Sequence, residues 1–186
     1  LYLSVCTRFD LCYTIKELSR WLIKPGTAMI KAAKRALRYV KGSTRFGLVY
    51  KRVWRPDRMA GYFTNWSRDT PVAGTVDADW AGQQDTRKST AGFMLLFNGA
   101  LIHWWSRTLK VIALISQDAE YMALSDSSRE LIFIRQLLES LGFEVTGPTE
   151  LYSDNMGALA LANKPCDHHK SKHIQVRYHF VRQQVE

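Results

Sequence analysis

The sequence predicts a mixed α/β fold: an antiparallel strand meander continued by parallel pairing, flanked by helices and preceded by a small helical extension. Three observations carry this prediction. β-rich runs separated by glycine or polar turns fill the middle of the chain, one long amphipathic stretch follows them, and a short strand then precedes two further helical segments. With 186 residues, 46% of them hydrophobic, the chain can bury a real core, which excludes disorder for most of it.

Taken in order, residues 11–23 place Tyr13, Leu18, Trp21 and Leu22 at helical spacing before Lys24-Pro25-Gly26 stops the run. A second helix over 27–40 carries Met29, Ala32, Ala33, Leu37 and Val40 on one stripe. Lys31, Lys34, Arg35, Arg38 and Lys41 lie largely off it, a one-signed set that is either solvated or turned toward phosphates. Residues 46–50 read as a short strand, and 51–70 lack periodicity and read as a linker or irregular arm. Strands are expected over 75–80, 89–97, 101–106 and 111–115, with Asn98-Gly99 as a hairpin turn. Ser116 reads as the N-cap of a helix reaching Leu141, with Leu124, Leu131, Ile134, Leu138 and Leu141 as its stripe and Gly142 as its stop. A strand over 149–153, a helix over 155–162 and a last helix over 173–185 complete the chain.

The charge balance narrows the partners. Lys and Arg number 26 against 17 Asp and Glu, a net +9 that favours polyanions such as nucleic acid. Three cysteines, Cys6, Cys12 and Cys166, form no CxxC pair and read as free thiols of a reducing compartment. No apolar run reaches the roughly 18 residues of a membrane span, so an intracellular protein without a membrane partner is expected. The first residue is Leu1 rather than Met, as in a processed product or a piece of a longer polypeptide.

Alternation in the first strand of the meander puts Asp77 and Asp79 on one face and Val76, Ala78 and Trp80 on the other. Such a pair reads as an acidic surface edge or as the Asp-x-Asp of a sugar-nucleotide enzyme, unless a cation sits between it and other acids. Four residues before Leu124 lies Glu120, at the N-terminal end of a core-facing stripe, where a charge is expensive unless paired or metal-bound. Asp154 follows a strand and precedes a helix, which suits a helix cap. In combination, three carboxylates from three elements would converge if the strands holding Asp77 and Asp154 are neighbours and the Glu120 helix packs across them. Such a cluster suits hard divalent ions, and two of them would stabilise both oxygens of an in-line phosphoryl displacement.

The runs Val76-Asp77-Ala78-Asp79-Trp80-Ala81-Gly82 and Asp85-Thr86-Arg87-Lys88-Ser89-Thr90-Ala91-Gly92 resemble the start of the ribonuclease H domain in copia-type LTR retrotransposon Pol polyproteins. Ala119-Glu120-Tyr121-Met122-Ala123-Leu124, Tyr152-Ser153-Asp154-Asn155, and the pair Lys172-His173-Ile174 and Arg177-Tyr178-His179-Phe180 continue it in the family's order. Upstream, Thr7-Arg8-Phe9-Asp10, Leu18-Ser19-Arg20 and the stretch 34–42 resemble the end of the reverse transcriptase of the same polyproteins, where Pro is usual at the position of Phe9. The resemblance implies a remnant of reverse transcriptase (thumb or connection) over 1–52, a linker over 53–70, and a ribonuclease H-like domain over 71–186. It lacks the polymerase's paired-aspartate motif.

The same resemblance implies that Asp77, Glu120 and Asp154 are catalytic metal ligands for two Mg²⁺ ions, with Mn²⁺ as an alternative, in hydrolysis of the RNA strand of an RNA–DNA hybrid. The family usually has Asp where this chain has Gln175, a weaker ligand for a fourth metal contact, and Asp79 is the nearest spare carboxylate. Asp118 reads as a helix charge favoured by the macrodipole. Phosphates would be met by Arg87, Lys88, Lys170, Lys172, His173 and Arg177, with Lys164 and Arg107 beside them. The reverse transcriptase portion of the polyprotein is an implied partner, in a cytoplasmic particle or the nucleus.

Competing readings remain at this level. Cys166, His168, His169 and His173 match no zinc-finger spacing and read as surface histidines, a phosphate-handling group or a zinc site. Of Trp104 and Trp105, one should face the core and the other solvent or nucleic acid. Gln175 and Phe9 also suit a catalytically inactive, degenerate or domesticated remnant that only binds nucleic acid. A transposase or integrase core is a third reading, which the runs at 85–92 and 177–180 do not suit.

Overall fold

The computed structural model describes residues 1–50, 71–83, 85–163 and 172–185, the side chains of 172–175 excepted. Strands β1 (Val72–Asp79), β2 (Thr90–Phe97), β3 (Ala100–Thr108) and β4 (Glu150–Tyr152) form one sheet in the order β3-β2-β1-β4. β1 pairs antiparallel with β2 and parallel with β4. The β2–β3 hairpin turns at Asn98 (φ 48°) and Gly99 (φ 75°), and positive φ at both central residues matches the twist of the strands. This mixed sheet flanked by helices is the ribonuclease H-like arrangement expected.

One face of the sheet carries the main core. Val72, Val76 and Ala78 of β1 pack with Phe93, Leu95 and Trp105 and with Ala119, Met122, Ala123, Leu131, Ile134 and Leu138 of helix α4 (Ser116–Ser140). The long helix stops where Gly142 takes φ 82°, which L side chains resist. Its Arg135 reaches back to the carbonyls of Val145 and Gly147 and to Thr149 Oγ1, steadying the chain just before β4. Helices α5 (Met156–Asn163) and α6 (Lys172–Val185) close the layer. Tyr121 of α4 stacks on Tyr178 of α6 with ring centroids 4.0 Å apart and donates its hydroxyl to the Tyr178 carbonyl.

The extension comprises α1 (Tyr2–Cys6), a 3-10 turn (Phe9–Leu11), α2 (Cys12–Ser19) and α3 (Thr27–Gly42). Its centre is polar. Arg8, 5% exposed, forks onto Asp10 at 2.9 and 2.7 Å, donates to the Ser43 carbonyl and hydroxyl, and lies over the rings of Tyr39 and Phe46. That fork, with a hydrogen bond from the Tyr39 hydroxyl, holds the Asp10 carboxyl below its ordinary range. The extension docks on the sheet face opposite α4. Trp104 donates from Nε1 to the Ser4 carbonyl at 2.8 Å, Lys16 Nζ to Thr90 Oγ1 at 2.7 Å, and Arg20 forks onto Asp85 at 2.8 Å.

Several expectations are corrected. Residues 111–115 are irregular because only Ala113 is buried there, while Ile112, Leu114 and Ile115 stay exposed and unpaired with a strand. Residues 46–50 form no strand, lying beyond the sheet's hydrogen-bonded order. Ile115 rather than Ser116 caps α4, with extended backbone and no side-chain bond. The stripe of α3 is half-covered at most, and Leu37 is 69% exposed. As expected, Trp105 enters the core; Trp104, on the other face, is partly buried and also bonds to the Ser4 carbonyl of α1. The expected linker at 53–70 lies outside the described residues.

Candidate metal centre

The site is assembled by strand register and one helix end. β1 is central, and its first three residues are buried on both faces; toward its C-terminal end Val76 and Ala78 stay buried while Asp77 and Asp79 emerge. Thr75 is level with Tyr152 across the parallel pair, so two residues further along each chain Asp77 and Asp154 come level. Asn155 Oδ1, not Asp154, accepts the Ala158 N–H at 2.9 Å and so caps α5, which leaves the Asp154 carboxylate exposed and uncommitted to the helix.

Helix α4 begins over the same strand ends. Glu120, in its second turn, is 5% exposed and receives the Ala78 backbone N–H. Gly157 lets α5 approach: a Cβ there would lie 2.9 Å from Gln117 Nε2 of α4. One carboxylate oxygen from each of Asp77, Glu120 and Asp154 then falls within 4.8 Å of the others. Burial, followed by the charges of Asp77 and Asp154, pushes the Glu120 carboxyl up to about 7, and its Oε2 meets no hydrogen-bond donor among the described residues.

Such a donor set fits a hard divalent cation, which takes oxygen ligands and would supply what the acids lack, a positive charge between them. Asp77 and Asp154 are open to solvent and Glu120 is buried, so the cluster is reachable from outside while its inner wall is covered.

The remaining predicted residues scatter. Asp79 stands outside the cluster, its carboxylate turned to the next bend, where a Cβ on Gly82 would lie 2.0 Å from Oδ2. Asp118 is buried at the start of α4. Arg87 is exposed with φ 54° and Lys88 is half-exposed, both in the bend beyond β1. The Arg177 guanidinium is committed internally, to Asp126 at 2.7 Å and the Met122 carbonyl at 3.2 Å, and so ties α6 to α4 instead of standing free for a phosphate. Arg107 is likewise engaged, by Glu130 at 3.0 Å and the face of Trp105. Lys164, Cys166, His168, His169 and Lys170, with the side chains of Lys172, His173 and Gln175, lie outside the described residues. Sequence reasoning missed the Arg8–Asp10–Ser43 network and the docking of the extension beside Asp77. The basic spacing of Lys16 on α2 and Arg20 at its C-cap was the local trace of that docking.

Among the described residues no helix is long and apolar enough to cross a membrane. No family model matches the chain. It is 33% identical over 186 residues to the retrovirus-related Pol polyprotein from transposon TNT 1-94 of Nicotiana tabacum, covering 100% of this chain and 13% of that protein. It is 33% identical over 180 residues to the corresponding polyprotein from transposon RE1 of Arabidopsis thaliana, covering 97% of this chain and 11% of that protein. The secreted RxLR effector protein 161 of Plasmopara viticola is 34% identical over 134 residues, 72% of this chain and 84% of that protein. The chain thus spans a small part of the polyproteins it matches, and it is, along its whole length, a homologue of the copia-type retrovirus-related Pol polyproteins.

Proposed function

We propose that this chain is the ribonuclease H portion of such a polyprotein, cutting the RNA strand of RNA–DNA hybrids, with a reverse transcriptase remnant as its extension over 1–52. The observation that carries the reading is the meeting of Asp77, Glu120 and Asp154, three acids from β1, α4 and the end of β4, within 4.8 Å. Like charges so placed repel, and only a cation or a proton relieves them. Mg²⁺, or Mn²⁺ in its place, would be held by these three residues and would supply an activated water and charge neutralisation at the phosphodiester.

The chain's own groups do the positioning. Asp77 and Asp154 present oxygens to solvent at the ends of adjacent strands, and Glu120 backs them from the helix. The net charge of +9 draws a polyanion toward these acids, and Arg87 and Lys88 lie beside β1 to meet its backbone. Recognition of the hybrid would rest on shape and 2′-hydroxyl contacts rather than base sequence. The reverse transcriptase part of the same polyprotein is the natural partner for substrate grip.

The test is cleavage of an end-labelled RNA–DNA hybrid by the purified chain, with and without Mg²⁺, beside Asp154→Asn. Metal-dependent cutting of the RNA strand that disappears in the variant supports the nuclease. Salt-sensitive binding without cutting in either protein sinks it in favour of a nucleic-acid-binding remnant, the state to which Gln175 points.

A further inference from the structure

A cavity of about 390 Å³ opens between the extension and the sheet, and Asp77 forms part of its wall. Phe9 and Tyr13 line it from the extension, and Thr75, Met94 and Trp104 from the sheet. Flat and polarisable groups therefore surround a space that reaches one of the clustered carboxylates. Its volume falls within the roughly 300–1,000 Å³ of small-molecule sites. Phe9 and Tyr13 remain 44% and 57% exposed, so these rings are not simply filling a core. Lys16 on Thr90, the first residue of β2, and Arg20 on Asp85, in the bend between β1 and β2, fasten the extension beside β1's end, which positions the rings relative to Asp77.

We propose that this cleft holds one nucleoside of the strand whose phosphate lies at the carboxylates, with Tyr13 and Phe9 against its base and sugar. This rests on the nuclease reading above and gives the extension a part in gripping substrate. The chemistry divides along the cleft. Asp77 and Asp79 repel an uncompensated phosphate, so the anionic link belongs at the cation position, while the neutral base and sugar match the aromatic walls. Every base has a π-face, so such a grip tolerates any sequence. The strand would then be held at the bond to be cut, by the carboxylate centre, and beside it, by rings from a segment more than sixty positions upstream of Asp77.

The measurement is fluorescence anisotropy of a labelled RNA–DNA hybrid titrated with the chain carrying Glu120→Gln, so that no cutting intrudes. Adding Tyr13→Ala should weaken binding about tenfold, as loss of a stacked ring does, and Tyr13→Phe should keep the parent affinity. Leu37→Ala, on an exposed face of α3, is the control for general loosening of the extension and should leave affinity unchanged. Circular dichroism verifies that each variant folds. Parent-like binding by Tyr13→Ala, or an equal loss with Leu37→Ala, overturns the cleft assignment. If the native chain nonetheless cuts the hybrid, the nuclease reading survives that outcome. A parent that binds no hybrid removes both.

Discussion

Glu120 has one carboxylate oxygen that no described donor meets, and its carboxyl is pushed from an ordinary 4.5 up to about 7 by burial and by two neighbouring acids. Between those values the folded chain binds more protons than the unfolded one. Glu120's own contribution to the stability of the metal-free protein is therefore full below about 4.5 and is lost as pH rises through about 7, whereas the lowered Asp10 carboxyl acts in the opposite sense at more acid pH. Urea midpoints measured in a chelator across that range should fall with pH, and Glu120→Gln should flatten the decline; a midpoint that rises with pH would refute the account. Under the proposed function Mg²⁺ would compete with that proton, so it should raise the midpoint more at pH 8 than at pH 5, and Asp154→Asn should blunt the rise. Gly74 is a second residue with a sharp constraint. A Cβ there would sit 3.0 Å from Leu151 Cδ1 and 3.1 Å from Phe93 Cε2, across both neighbouring strands. Gly74→Ala should cost about 1–3 kcal/mol by overpacking, read from denaturant unfolding.

At the scale of elements, α6 is joined to α4 by the Tyr121–Tyr178 stack and by Arg177 on Asp126. Both partners of the ion pair are largely covered, so Arg177→Ala should cost about 1–2 kcal/mol, and much less once Asp126→Ala is already present. Equal costs in the two backgrounds would show that the pair carries no coupling. The elements bearing the acids were readable because periodicity decides them: alternation exposed Asp77, and counting back along a helical stripe found Glu120. The level pairing of Asp77 with Asp154 needed only the strands to be neighbours. Caps and short apolar runs were not readable. Ser116 and Asp154 have the chemistry of N-caps, yet backbone geometry gave those places to Ile115 and Asn155. The run at 111–115 has strand composition, but of its residues only Ala113 is buried, so it lacks the alternating covered face that a strand on this sheet needs. Long-range polar contacts, such as Arg20 on Asp85 or Trp104 on Ser4, leave no periodic trace at all.

For the molecule as a whole, the sheet is faced on one side by α4 and on the other by the extension, and adjacent tryptophans of β3 serve the two layers separately. Among the described contacts that fasten the outer layer, one is an ion pair that water can reach: Asp85 is 51% exposed in its pair with Arg20. Raising ionic strength should loosen this layer before the core, seen as faster proteolysis within residues 1–50 at unchanged thermal midpoint. The carboxylate centre divides unevenly between strong and weak parts of the fold. Asp77 rides on a strand of eight residues paired on both sides, whereas Asp154 follows β4, three residues long and joined to β1 through Ala73, Gly74 and Thr75 alone. Local opening of so short an edge takes less free energy than melting the hairpin. Amide hydrogens of Leu151 and Tyr152 should then exchange with solvent well ahead of those of Phe93 and Leu95, and a bound divalent ion should slow the first pair selectively. The acids would thus disperse and regather in a fold that stays otherwise intact, making occupancy of the centre a gauge of how closed one short strand is.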